Sequence, residues 1–165
     1  MEEGKLVWIT GLAGSGKSTL AKKVYEKLKG MEKNTVHLDG DILREALGSE
    51  AGYSPEERKK LALTYARLCS LLTRQGINVV IATISLFHEV HEYNAKNNRR
   101  YYEIVLEVGA QELARRNQKG LYTSGKDVMG VHHEAQFPKK PTLRLQNDTQ
   151  TQLEDNFAKI MEVIA

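Results

Sequence analysis

A parallel α/β sheet covered by helices on both faces is the fold this sequence predicts, and three observations predict it. Short apolar runs of strand length alternate with segments whose apolar residues recur at helical spacing. The first run, Lys5-Leu6-Val7-Trp8-Ile9-Thr10, leads into Gly11-Leu12-Ala13-Gly14-Ser15-Gly16-Lys17-Ser18, a complete G-x-x-x-x-G-K-S loop followed at once by a helical pattern. The chain has 165 residues, 41% hydrophobic and 27% charged, which suits one domain over residues 1–165 with a sizeable core. Five parallel strands are expected, with ligands at their carboxyl ends.

Each element has its own signal. After the loop, Leu20, Val24 and Leu28 repeat along one helix face. Thr35-Val36-His37-Leu38 reads as a second strand ending in Asp39-Gly40-Asp41. A helix follows from Pro55 to about Arg74, with Leu61, Tyr65, Leu68 and Leu72 on one face and Gly76 just past its end. Ile77 to Ile84 is a buried third strand, and a polar helix runs from about Phe87 to Asn97. Tyr101 to Val108 is a fourth strand, and Leu113-Ala114-Arg115-Arg116 belongs to a short helix. Residues 118–135, rich in Gly, polar residues and His with weak periodicity, are the candidate lid. Thr142 to Leu145 follows Pro141 as an edge strand. The last helix carries Leu153, Phe157, Ile160 and Ile164 and is capped by Asp148 or Thr149.

Composition narrows the function classes. A net charge of +3, with no basic run and no interleaved aromatics, argues against a nucleic-acid track and for anionic small molecules. The single cysteine, Cys69, excludes a disulfide framework and reads as core filler. No apolar run is long enough to span a bilayer, and the first strand starts too early for a signal peptide, so a cytoplasmic location is expected. His88 and His91 lie a helical turn apart and His132-His133 sit in the lid, but their spacing matches no known metal site.

The loop itself dictates triphosphate chemistry. Its glycines let consecutive N–H groups point into one concavity at a helix N-terminus, which favours anions. Gly11, Ala13, Gly14, Ser15, Gly16, Lys17, Ser18 and Thr19 are therefore the expected ATP-binding residues. Lys17 reaches the β- and γ-phosphates, and the Ser18 hydroxyl is a ligand for Mg2+. A guanine-specific Asn-Lys-x-Asp motif is absent, and Asp127-Val128-Met129-Gly130 matches D-x-x-G too far beyond the third strand to count. The third strand also ends without the carboxylate of a transport or motor ATPase. Acidic residues stand instead at the end of the second strand, where a kinase holds an acceptor hydroxyl. Asp41 or Asp39 is placed to accept a hydrogen bond from that hydroxyl, the other holding magnesium through water. Asp41 also reads as a cap for the helix beginning at Ile42.

With these motifs the sequence resembles the adenylyl-sulfate kinases, which phosphorylate the ribose 3′-hydroxyl of adenosine 5′-phosphosulfate. The likeness rests on Trp8 to Ala21, on Leu38-Asp39-Gly40-Asp41 with Arg44, on Tyr53-Ser54 with Arg58, on Ile84-Ser85 and on Lys119-Gly120-Leu121-Tyr122. It implies a three-layer P-loop kinase fold with a small lid, ATP and Mg2+ as donor and cofactor, and a homodimer. It assigns Asp41, Lys17 and Asp39 to catalysis, and Arg116 and Lys119 to closure over ATP. The acceptor would meet Asp41, Arg44, Tyr53, Arg58, Ile84, Ser85, His88, Lys119 and Leu121.

The departures from the family cluster on the acceptor side. Tyr53 stands for a phenylalanine, Leu61 for an asparagine and Val128 for a base-stacking aromatic. Ser85-Leu86-Phe87-His88 replaces Ser-Pro-x-Arg, His91 replaces a second arginine, and Asn117-Gln118 replaces Asp-Pro. His88 thus meets the acceptor's anion in place of an arginine. An offshoot of the family acts on cytidine diphosphoramidate, whose base is smaller and whose anion is longer, and these changes suit it. The expected acceptor is therefore cytidine diphosphoramidate in capsule biosynthesis. Adenylyl sulfate is the alternative, and a non-catalytic nucleotide-binding module the second.

Overall fold

The structure is a computed structural model that describes residues 2–50, 52–116 and 134–165. Its five strands are β1 (Lys5–Thr10), β2 (Thr35–Asp39), β3 (Asn78–Ala82), β4 (Arg100–Glu107) and β5 (Leu143–Gln146). They pair in the order β2-β3-β1-β4-β5, every pairing parallel, with β5 at an edge. The helices described are α1 (Lys17–Met31), α2 (Gly40–Ala46), α3 (Pro55–Arg74), α4 (His88–Asn97), α5 (Ala110–Arg116) and α6 (Gln150–Ile164).

The two-residue period of the strands divides the core into two layers. Val7 and Ile9 of β1 pack with Leu20, Val24 and Leu28 of α1 and with Ile160 and Ile164 of α6. Leu6 and Trp8 face the other way, onto Leu43 of α2, Ala62, Tyr65, Ala66 and Cys69 of α3, and Val90 of α4. All of β1 is buried, as a central strand covered on both faces must be. The strands therefore converge at one edge of a three-layer body, and the loops leaving their carboxyl ends form the site.

Several boundaries move for physical reasons. β4 starts and ends one residue earlier than the periodicity predicts, and β5 starts and ends one residue later. β3 stops at Ala82, so Thr83, Ile84 and Ser85 form a loop rather than strand. On α3 the fully buried stripe is Ala62, Tyr65, Ala66, Cys69, Ser70 and Thr73, while Leu61, Leu68 and Leu72 flank it half-buried. Small side chains let the helix approach the sheet, and the leucines seal its margins. Cys69 is a buried core residue, its thiol pushed well above its ordinary range by desolvation. Pro55 at the first turn, the Ser54 cap and Gly76 at φ 80° punctuate α3 as expected. On α6, Asn156 is buried where the pattern placed Phe157, and Thr149 forms a complete capping box with Gln152. The candidate lid lies outside the described residues except for Glu134 and Ala135, which are irregular. Among the described residues no helix is long and apolar enough to cross a membrane.

Candidate active site

The donor half begins where β1 ends. Gly14 and Gly16 adopt φ 84° and 89°, and Ser15 N–H donates to the Leu12 carbonyl at 3.1 Å, closing the turn that launches α1. A Cβ on Gly16 would lie 2.5 Å from Asn147 Nδ2, so both its φ and its surroundings demand glycine. Lys17 Nζ reaches the Leu12 carbonyl at 3.5 Å, across the mouth of the loop. Arg116 sits behind the loop. Its guanidinium donates to the carbonyls of Gly14 (2.8 Å), Asn147 (2.8 Å) and Asp148 (2.9 Å). Glu112 orients it at 2.9 Å, and hydrogen bonds from Arg115 and Arg116 hold the Glu112 carboxyl down at about 2. Lys119 and Leu121 lie outside the described residues.

The end of β2 supplies the carboxylates. Asp39 Oδ2 accepts from Ser18 Oγ at 2.8 Å, and Asp39 Oδ1 accepts from Asp41 N–H at 3.1 Å. The cap of α2 is thus Asp39, not Asp41, because the extended backbone of Asp39 aims its side chain back at the first turn. That leaves the Asp41 side chain exposed in the first turn of α2. The Ser18 hydroxyl and the Asp39 carboxylate stand side by side next to the loop, and hard oxygen donors of this kind are what Mg2+ takes. The donor set at Ser18 and Asp39 fits such an ion. Gly40 packs against Thr83, whose Oγ1 would be 3.0 Å from a Cβ there. Tyr65 OH donates to the Gly40 carbonyl at 3.0 Å, its own ionisation pushed up to about 12 by burial.

Beside these carboxylates stand the residues expected to meet an acceptor. Arg44 and Arg58 both lie over the Tyr53 ring, with guanidinium carbons 4.4 and 5.3 Å from its centroid. Arg58 Nε also donates to the Tyr53 carbonyl at 3.0 Å. Glu57 fixes the preceding turn by accepting from Gly52 N–H and from Ser54 Oγ, and those bonds hold its carboxyl below the usual range. Opposite, Ser85 is a non-glycine residue at φ 28°. Its strain is held by several partners. Thr83 Oγ1 and Ser85 Oγ are 2.6 Å apart, the Thr10 hydroxyl donates to the Ile84 carbonyl, and His91 Nε2 donates to the Ser85 carbonyl at 3.1 Å. Burial depresses His91 to about 4, so the ring is neutral, and its Nδ1 is buried without a partner among the described residues. His88 turns toward the segment leading into β5, with Nε2 3.0 Å from the Phe137 carbonyl.

The structure brings together the loop, Asp39, Asp41 and Thr83–Ser85 at one sheet edge, with Arg44, Tyr53 and Arg58 clustered beside them. Sequence reasoning missed Asn147, Asn156 and Glu112, which hold the loop from behind, and Thr83 and Tyr65, which hold the Asp39–Asp41 turn. None of them carries a local sequence pattern that points to the site. A cavity of about 290 Å³ opens beside the loop between Leu12, Gly109, Leu113 and Phe137. A second of about 390 Å³ lies between α4 and the segment entering β5. Among the described residues no three His, Cys, Asp or Glu side chains converge as a metal-binding group.

Comparison with known proteins agrees with this geometry. The family model for adenylylsulphate kinase matches residues 3–146. The cytidine diphosphoramidate kinase of Campylobacter jejuni is 42% identical, covering 97% of this chain and 96% of its own. The adenylyl-sulfate kinase of Picosynechococcus sp. is 32% identical, over 96% of this chain and 92% of its own. Among solved structures, the Mycobacterium tuberculosis APS kinase CysC in complex with AMPPNP and APS superposes with a TM-score of 0.85 at 30% identity. It covers 99% of this chain and 98% of that one.

Proposed function

The chain belongs to the adenylylsulphate kinase family and is an ATP-dependent phosphotransferase of the P-loop class, and on that premise we propose that its acceptor is the ribose 3′-hydroxyl of cytidine diphosphoramidate. One observation carries the choice of acceptor. Identity stands at 42% with the relative named for that substrate and at 32% with an adenylyl-sulfate kinase of similar coverage. The departures from the adenylyl-sulfate pattern at Tyr53, under the two arginines, and at His91, which holds Ser85, support the same reading, whereas Leu61 packs at the margin of α3 and His88 bonds the segment entering β5. Capsule biosynthesis as the setting follows from that acceptor.

The site residues divide the work. Loop N–H groups and Lys17 hold the β- and γ-phosphates, while Arg116 fixes the loop from behind. Ser18 and Asp39 would hold Mg2+, which neutralises charge on the phosphates when bound. Asp41 accepts the proton of the acceptor hydroxyl as that oxygen attacks the γ-phosphorus, and ADP leaves. Arg44 and Arg58 grip the acceptor's anion, and Thr83 to Ser85 bound the space for its ribose. Positioning and charge neutralisation suffice for a loose phosphoryl-transfer transition state, so no covalent intermediate is needed. Lys119 and Leu121 complete the expected acceptor and ATP contacts, and a homodimer is the expected assembly.

The test is ³¹P NMR of the product formed from ATP and cytidine diphosphoramidate, with Asp41→Asn as control. A new 3′-phosphomonoester signal is expected. Asp41→Asn should lower transfer by about 10²–10⁴-fold while affinity for an ATP analogue stays within about twofold. ATP turnover without a phosphorylated acceptor would overturn the assignment.

A further inference from the structure

We propose that Asn147 is a positioning residue of the phosphate loop, held in register by Asn156 of the last helix. ATP affinity is then set partly by residues that follow β5, far along the chain from the loop.

Asn147 follows β5 and is only 3% exposed. Its N–H donates to the Glu107 carbonyl at 2.8 Å, extending the β4–β5 ladder, and its carbonyl accepts from Arg116 at 2.8 Å. Its side chain is equally committed. Nδ2 donates to the Ser15 carbonyl at 2.8 Å, and Oδ1 accepts from Asn156 Nδ2 at 3.2 Å. Carbonyl oxygen faces Nδ2 and an amide donor faces Oδ1, so the amide has one orientation that satisfies both. Asn156, also 3% exposed, donates through the same Nδ2 to the Gln146 carbonyl at 2.7 Å. The last helix thereby grips both β5 and the residue behind the loop.

The consequence follows from peptide geometry. In a planar trans peptide the C=O and the next N–H point in opposite directions. Pinning the Ser15 carbonyl on Asn147 therefore aims the Gly16 N–H away from Asn147, into the concavity that receives phosphate. The neighbouring peptide is held at both ends, its Gly14 carbonyl on Arg116 and its Ser15 N–H on Leu12. Buried, paired polar groups of this kind fix one loop geometry, and an unpaired carbonyl in the same place would be costly.

The test uses the full-length chain and needs no acceptor, so its outcome is independent of the acceptor proposed above. Calorimetric titration with Mg2+ and a non-hydrolysable ATP analogue should show about tenfold weaker binding for Asn147→Ala and about threefold for Asn156→Ala. The double variant should bind no more weakly than Asn147→Ala, because Asn156 acts through Asn147. Asn147→Asp, which has no donor for the Ser15 carbonyl, should bind more weakly than Asn147→Ala. Unchanged affinity with a lowered melting temperature would show a merely structural role and overturn the proposal. So would effects of the two alanines that multiply independently. If Asn147→Ala does not fold, Asn156→Ala decides alone: wild-type affinity would overturn the proposal.

Discussion

On the proposed donor wall, buried side chains hold the backbone of the loop from behind, whereas on the proposed acceptor wall Tyr53, Arg44 and Arg58 hold one another near the surface. The phosphate loop is locked by Arg116 and Asn147, the latter almost fully buried. Tyr53 is 55% exposed, and its two arginines reach it as cations over a ring. The difference teaches why the two halves of such a site differ in how cheaply they can be altered. A loop braced by buried polar groups loses stability when altered. Exposed side chains can be exchanged at a cost of about 0.5 kcal/mol or less, so a new acceptor is reached without endangering the fold.

The largest expected effect on ligand binding comes from breaking the donor wall. Gly16→Ala forces a side chain at φ 89° and 2.5 Å from Asn147, so ATP-analogue affinity should fall by at least about thirtyfold. The acceptor KM of the residual activity should stay within about twofold; a matching rise would mean that the two walls are not separable. Next, Tyr53→Ala should raise the acceptor KM about tenfold, with ATP affinity unmoved and a shift in melting temperature too small to matter. Tyr53→Phe keeps the ring under both guanidiniums and should stay within about threefold.

A smaller effect tests the buttress of Ser85. His91 is buried and neutral in the fold, at about 4 against an ordinary 6.5. The unfolded chain takes up that proton first as pH falls, so stability declines through the window from 6.5 to about 4 and is restored above it. Chemical denaturation should show a loss of about 1 kcal/mol between roughly pH 6 and 5, and His91→Gln should flatten that slope. An unchanged slope would mean that another group sets it.

What was legible in the sequence follows the same division. The loop, its strand and its helix are contiguous, so spacing alone reveals them, and the strand–helix alternation sets the order of the elements. The braces are not contiguous. Asn147 meets Ser15 across 132 residues, and a lone asparagine after an edge strand carries no pattern that points there. Asp41 rather than Asp39 looked like the cap because sequence does not show that Asp39 is still extended and turns its carboxylate back. On α3, leucine spacing marked the margins of the buried stripe, since alanines and Cys69 occupy its centre. The positive φ of Ser85 was invisible for a related reason: besides Thr83 in the same loop, it is imposed by Thr10 at the end of β1 and His91 of α4.

The most direct test of the central claim is a competition between the two acceptors on one enzyme preparation. With ATP saturating and cytidine diphosphoramidate and adenylyl sulfate present together, the ratio of their 3′-phosphorylated products gives the ratio of kcat/KM. An excess of the cytidine product by at least about a hundredfold at equal concentrations is the predicted result. A dominant 3′-phosphoadenylyl sulfate signal would contradict it and return the altered acceptor wall to adenylyl-sulfate chemistry.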